Sequence, residues 1–179
     1  MKSNIETERL YLRPFSLLDT SNYFNFISQK DVYAWLGRRT PKSKEQADAI
    51  LAYFIEAFNT NEYGVYAVFT KDGDNFIGQA GFNFFNELAN IEYLYALHPA
   101  YWNKGYATEI GEVLIQEFTI AFPHKPLVAI AYSDNHRSKH VLQKLNFKQK
   151  GQKEVFNNIA DYFELEQQPK RAAGLRSGE

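Results

Sequence analysis

The stretch "IEYLYALHPAYWNKGYATEIGEVL", residues 91–114, constrains the fold most, because its hydrophobic period changes within a few residues. Ile91, Tyr93, Tyr95 and Leu97 fall on one face of an extended segment, and Glu92, Leu94, Ala96 and His98 fall on the other. From Gly105 the period becomes helical, with Ala107, Ile110, Leu114, Phe118 and Ala121 in one stripe. Pro123 and Pro126 close that helix, and "LVAIAY" follows as a continuous apolar run, the pattern of a strand covered on both faces. The three pieces form a strand-helix-strand unit whose chain rule is a crossover between parallel strands.

The rest of the chain supplies partners for that unit. "RLYLRPF" reads as a short edge-type strand closed by Pro14. Residues 17–28 and 43–58 carry helical spacing, the second with Ser43 as its N-cap. "GVYAVFT" and "NFIGQAGFNFF" flank "KDGD", a hairpin signal centred on Asp72-Gly73. Asn135 is placed to cap a helix with Val141, Leu142 and Leu145 on its apolar face, and a last strand pair is predicted within residues 147–165. The sum is an α/β (α+β) fold with a mixed central sheet of about 6–7 strands flanked by about 4 helices. Residues 1–166 are expected to form one domain, and the polar, patternless residues 167–179 a disordered tail.

Composition excludes several classes of function. Hydrophobic residues make up 45% of the 179, enough for a substantial core. A formal charge of −1 gives no reason to expect nucleic acid or a membrane surface as partner. The chain has no cysteine, which removes disulfides, thiolate nucleophiles and Cys-based metal sites and fits a reducing cytoplasm. No apolar run approaches membrane-spanning length, and the first residues lack a signal-peptide core, so a soluble cytoplasmic protein is expected. The four histidines have no metal-ligand spacing: His136 and His140 are i, i+4 without a third ligand, and no metal is expected.

The junction at residues 98–108 is richer than a turn requires. A helix start carries unpaired N–H groups and about half a positive charge, which suits phosphate. Gly105 allows close backbone approach, Lys104 adds charge, and Thr108 offers a hydroxyl in the first turn. An ordinary strand-to-helix turn with a solvated lysine explains the same spacing equally well. The segment is neither a Walker A loop nor a G-x-G-x-x-G fingerprint, which disfavours nucleotide hydrolysis and dinucleotide binding.

"LHPAYWNKGYATE" resembles the acyl-CoA pyrophosphate loop of the GNAT N-acetyltransferases, written (Q/R)xxGx(G/A), with Gly105 and Ala107 at its last fixed positions and Trp102 in place of Gln or Arg. "ETERLYLRPFSLLD" and "NHRSKHVLQKLNF" resemble two further segments of the ribosomal-protein N-terminal alanine acetyltransferase subgroup, in the same order along the chain. The resemblance spans about residues 6–165 and implies a GNAT fold with a splayed sheet. It implies that backbone amides of Asn103, Lys104, Gly105, Tyr106, Ala107 and Thr108 hold the pyrophosphate of acetyl-CoA. It further implies that Ala96, Leu97 and His98 pair with the pantetheine amides like an added strand, and that Asn135 hydrogen-bonds the arm.

Acetyl transfer to an amine needs a base for the nucleophile and a proton for the leaving thiolate. Glu92, on the strand face opposite the Ile and Tyr side chains, matches the family's carboxylate position, although Tyr93-Leu94 replaces the usual Ile-Gly after it. Ser138, one helical turn beyond Asn135, is the candidate donor to the thiolate. Tyr95 alternates with Tyr93 and Leu97 and reads as core, and "GRRT" at 37–40 reads as a solvated basic loop. The resemblance implies direct transfer from acetyl-CoA to a primary amine, with a protein N-terminus favoured. Small amines (polyamines, amino acids, antibiotics) and a non-catalytic acyl-CoA sensor are alternatives, and monomer and homodimer are both compatible.

Overall fold

The strands join into one sheet in the order β1-β2-β3-β4-β5-β6-β8-β7. In the computed structural model, which describes Met1 and residues 3–166, they are β1 (Ile5–Glu6), β2 (Leu10–Pro14), β3 (Val65–Thr70), β4 (Phe76–Phe85), β5 (Asn90–Leu97), β6 (Leu127–Tyr132), β7 (Phe147–Val155) and β8 (Asn158–Leu165). The helices are α1 (Thr20–Ile27), α2 (Lys30–Tyr33), α3 (Lys44–Thr60), α4 (Tyr106–Ala121) and α5 (His136–Lys144). All neighbouring strands pair antiparallel except β5 and β6, which the α4 crossover makes parallel. The two elements beyond the sequence reading are β1, two residues long, and α2, a single turn. The tail predicted for residues 167–179 lies outside the described residues.

Strand alternation sorts the apolar side chains into two layers. Ile91, Tyr93 and Leu97 of β5 pack with Ile110, Leu114 and Phe118 of α4 and with Leu142 and Leu145 at α5. The opposite sheet face packs Val65, Ala67 and Phe69 against Tyr23, Phe26 and Ile27 of α1 and Ala47, Leu51 and Phe54 of α3, and here Leu94 and Ala96 of β5 join. The period-two division of β5 seen in the sequence therefore separates an α4/α5 side from an α1–α3 side. At the start of α3, Ser43 Oγ accepts from the Gln46 N–H and Gln46 Oε1 accepts from the Ser43 N–H, a reciprocal cap.

The strand in "RLYLRPF" differs from its predicted edge position. β1 covers Tyr11 and Leu12, β3 pairs along all of β2, and Leu10 and Leu12 are fully buried. Pro14 is tolerated because it stands at the last residue of β2.

The same segment carries a charged clasp. Arg13 Nη1 and Nη2 reach the Asp19 carboxylate, at 2.8 and 2.7 Å, and Asp19 Oδ2 also accepts from the Ser16 N–H at 2.8 Å. Burial alone would raise the Asp19 pKa, but Arg13 and Ser16 hold it below the ordinary carboxylate range. Asp19 is 2% exposed, so removing its partner strands a buried charge. Arg13→Ala is expected to lower stability by about 3 kcal/mol in urea unfolding at neutral pH. Because the folded pKa is depressed, the clasp contributes fully above about pH 4 and is lost as pH falls through the lowered value. The gap between wild type and Arg13→Ala should therefore narrow on acidification.

Candidate active site

β5 and β6 share two rungs, Ile91 with Leu127 and Glu92 with Val128, and then part. Beyond Glu92, β5 continues to pair with β4 as far as Leu97 but has no ladder partner on its β6 side. The gap opens into a cavity of about 700 Å³ that reaches both sheet faces. Its wall includes Glu92, Ala96, Leu97, Asn103, Gly105, Tyr106, Ala107, Thr108, Asn135 and Ser138. Of the residues singled out in the sequence, His98 and Lys104 are not on that wall.

One end of the cavity meets the N-terminus of α4. Gly105 is the N-cap at φ +80° and Asn103 sits at φ +60°, so the backbone turns from strand to helix through two left-handed residues. Trp102 Nε1 donates to the Leu97 carbonyl at 2.7 Å, fastening the loop to the end of β5, and the Arg137 guanidinium lies 4.1 Å over the indole. The His98 N–H is directed to the Ile77 carbonyl of β4 at 2.8 Å, and His98 Nδ1 accepts from the Ala100 N–H at 3.2 Å. The edge of β5 that faces β6 is thus without a ladder partner beyond Glu92 among the described residues, with the Leu97 carbonyl taken by Trp102 and the His98 N–H turned to β4. Lys104 Nζ lies 5.1 Å from the Tyr101 ring.

Arg9 supports this loop from outside. Its Nη1 donates to the Lys104 carbonyl at 3.0 Å, its guanidinium lies 4.5 Å over the Tyr106 ring, and its Nε reaches Glu109 Oε2 at 2.7 Å. Glu109 also accepts from the Arg9 N–H at 2.9 Å and the Thr7 hydroxyl at 2.5 Å. The first turn of α4 is therefore stitched to the β1-β2 connection. Arg9 belongs to "ETERLYLRPF", but nothing in its spacing links it to a loop 95 residues away.

Further along the gap, Glu92 lies on the α1–α3 side. Among the described residues no hydrogen bond or ion pair reaches it. Burial, with a smaller push from Glu87, raises its pKa to about 8. Across the gap the Tyr95 hydroxyl donates to Ser138 Oγ at 3.3 Å. Burial pushes Tyr95 up to about 12, opposed by Ser138. Alternation alone assigned Tyr95 to the core; its polar tip, on the face that meets α5, was the available signal. Asn135 Oδ1 accepts from the Ser138 N–H at 3.1 Å, capping α5 and fixing Ser138. Lys139 anchors α5 in turn, donating to Asp161 Oδ2 at 3.0 Å and the Ser133 carbonyl at 2.8 Å.

The loop after α2 closes the α1–α3 side. Arg39 Nη2 pairs with Asp134 Oδ2 at 2.8 Å, its Nε donates to the Ala34 carbonyl at 2.8 Å, and its guanidinium lies 4.4 Å over Tyr132. The Tyr132 hydroxyl donates to the Gly37 carbonyl. "GRRT" is thus a strap that its half-buried Gly37 and Arg39 join to Tyr132 and Asp134, while Arg38 and Thr40 are exposed as expected of a solvated loop. No group of three or more His, Cys, Asp or Glu able to hold a metal occurs among the described residues, and none of their helices is long and apolar enough to cross a membrane.

The family described as acetyltransferase (GNAT) domain matches residues 9–148. The N-acetyltransferase YoaA of Bacillus subtilis (strain 168) is 25% identical over 148 residues, 82% of this chain and 84% of its own length. A GnaT-family acetyltransferase from Bordetella pertussis has a similar structure, with a TM-score of 0.82 at 19% identity over 92% of this chain and 100% of that one. The ribosomal-protein-S5-alanine acetyltransferase from Vibrio fischeri gives 0.74 at 17% identity over 91% and 96%.

Gly105→Ala would place a side chain in the left-handed region at a cost of about 1 kcal/mol, with its Cβ 3.4 Å from Arg9 Nη2. Arg9→Met would remove the brace. Both are expected to weaken CoA binding several-fold in calorimetric titration while leaving the folded circular-dichroism spectrum intact. Unchanged affinity in both would show that this loop does not hold the phosphates.

Proposed function

Since the chain belongs to the GNAT acetyltransferase family and is an N-acetyltransferase, we propose that it moves an acetyl group from acetyl-CoA directly to a primary amine, a protein or peptide N-terminal α-amine first among acceptors. The observation that carries this reading is Glu92, a carboxyl without a partner among the described residues and with a pKa raised to about 8, in the same cavity as the Tyr95-Ser138 pair.

The residues present fit acetyl-CoA. The α4 N-terminus with Gly105 and Thr108 suits a pyrophosphate, the β6-facing edge of β5 beyond Glu92 offers strand-like partners to pantetheine amides, and Arg137 adds positive charge at the phosphate end. Bound acetyl-CoA supplies the activated acetyl thioester. Glu92, ionised at or above its raised pKa, takes the proton of the incoming ammonium, directly or through one water. The Ser138 hydroxyl accepts from Tyr95 through its oxygen, which leaves its own hydrogen free for the departing sulfur. Tyr95 replaces that proton at the oxygen. The chain has no cysteine to carry the acetyl group, which supports direct transfer.

Acetylation of a protein N-terminus is supported by the resemblance of "ETERLYLRPFSLLD" and by the Vibrio fischeri neighbour's named activity. A small-molecule amine is the second reading, favoured by the Arg39 strap over an aromatic-walled cavity. Thiol release from acetyl-CoA with alanine- and serine-initiated peptides, spermidine, amino acids and aminoglycosides separates them. CoA binding without release for any acceptor would overturn the transferase reading in favour of a sensor. Glu92→Gln should lower kcat/KM by about a hundredfold or more and keep CoA affinity. The rising limb that Glu92 sets near pH 8 should vanish in this variant, leaving only that of the amine.

A further inference from the structure

Gln79 stands in the middle of β4 and is 4% exposed, yet among the described residues no hydrogen bond reaches its amide, and its buried Oε1 has no partner. It pairs with Ala96 across the β4-β5 ladder, on the same face as Leu94, Asn83 and Glu92, and forms part of the cavity wall. Asn83, two positions further along that face, is satisfied: its Oδ1 accepts from the Tyr53 hydroxyl at 2.7 Å. Tyr23 and Ile27 of α1 and Phe54 of α3 line the same cavity. Leucine or methionine there would avoid the desolvation of an amide, whereas a buried amide left without partners is destabilising.

We infer that this recess receives the body of the acceptor, and that the acceptor is an amine joined to an apolar or aromatic group whose far end carries a hydrogen-bonding hydroxyl or amide for Gln79. This rests on the reading of Glu92 as the site of amine acetylation. The rung of Gln79 and Ala96 lies four residues, about 13 Å of strand, from the rung of Asn83 and Glu92. A side chain spanning part of that length binds its apolar stem against Leu94 and the aromatic wall, and the amide completes its hydrogen bonds on the polar tip. The same recess discriminates against an acceptor that ends in a bare methyl or phenyl, because the amide then stays unpaired. In a peptide acceptor the group is the side chain of the first residue.

The test uses probes matched except at the tip: tyramine against phenethylamine, 5-aminopentanol against hexylamine, and the tripeptide amides Tyr-Ala-Ala against Phe-Ala-Ala. Acetyl transfer is followed by thiol release, and binding by calorimetry with CoA-saturated protein, so that recognition is read without turnover. Wild type should favour the hydroxyl member of at least one pair by about tenfold or more, chiefly in KM. In Gln79→Met the preference should fall close to unity while CoA affinity and folded stability hold or improve. Transfer without any such preference, or a preference unchanged in Gln79→Met, overturns the inference and leaves the transferase reading standing. Binding preference without transfer to any probe would show a ligand recess that serves no acetyl acceptor and would overturn the inference together with the transferase reading. If Gln79→Met is less stable yet discriminates as wild type does, the amide serves the fold through water and the inference fails. Absence of both transfer and binding across all pairs also overturns it.

Discussion

The separation of β5 from β6 after two rungs governs the rest of the molecule. A parallel pair that continued to Leu97 would close the sheet and leave no route between its faces. Because it stops at Glu92, one strand presents side chains to two compartments: Tyr95 toward α5, Glu92 and Leu94 toward α1 and α3. The candidate base and proton donor come from opposite faces and meet only through the gap. No single helix or loop could present both groups with that separation.

A gap of this kind needs its margins held, and ion pairs hold them. Arg9 and Glu109 tie the start of α4 to the β1-β2 connection, and Lys139 and Asp161 tie α5 to β8. Arg39 and Asp134 join the α2 strap to the loop before α5, and Arg13 and Asp19 fix the turn into α1. Buried members such as Asp19 and Asp161, each with a carboxyl held below the ordinary range by its donors, act as positional locks. Such pairs are weak evidence of net stability and stronger evidence of a specified arrangement, here of the helices and loops that border the cavity.

Much of this was legible in the sequence. The period change at Gly105, the Asp72-Gly73 hairpin and the Asn135 cap each have a local physical cause, and each appears where that cause placed it. The glycine-capped helix start between Asn103 and Thr108 was legible too as backbone geometry, because a strand-to-helix turn is fixed within a short segment. Long-range pairing was not. Arg9 on Lys104, Arg39 on Asp134 and Tyr95 on Ser138 join residues 95, 95 and 43 positions apart, and one sequence holds no signal for such contacts. The edge assignment of "RLYLRPF" failed for a related reason: Pro14 marks a strand end, which local chemistry cannot distinguish from a sheet edge. Gln79 was invisible because a polar residue in an alternating strand looks solvated until a helix is seen to cover it.

The edge that β5 turns to β6 beyond Glu92 has one more consequence. Exposed strand edges invite other chains to add on, and proteins usually blunt them with charge, proline or brevity. The outermost strand here, β7, follows that habit, with Lys148, Lys150 and Lys153 along an exposed run. The β5 edge needs no such guard. It lies inside the sheet between β4 and β6 and faces the cavity, so a polypeptide approaching from outside does not meet it as an outer edge. A sticky edge has been turned inward, so that the same missing rungs open a cavity and leave no outer edge there for another chain to extend.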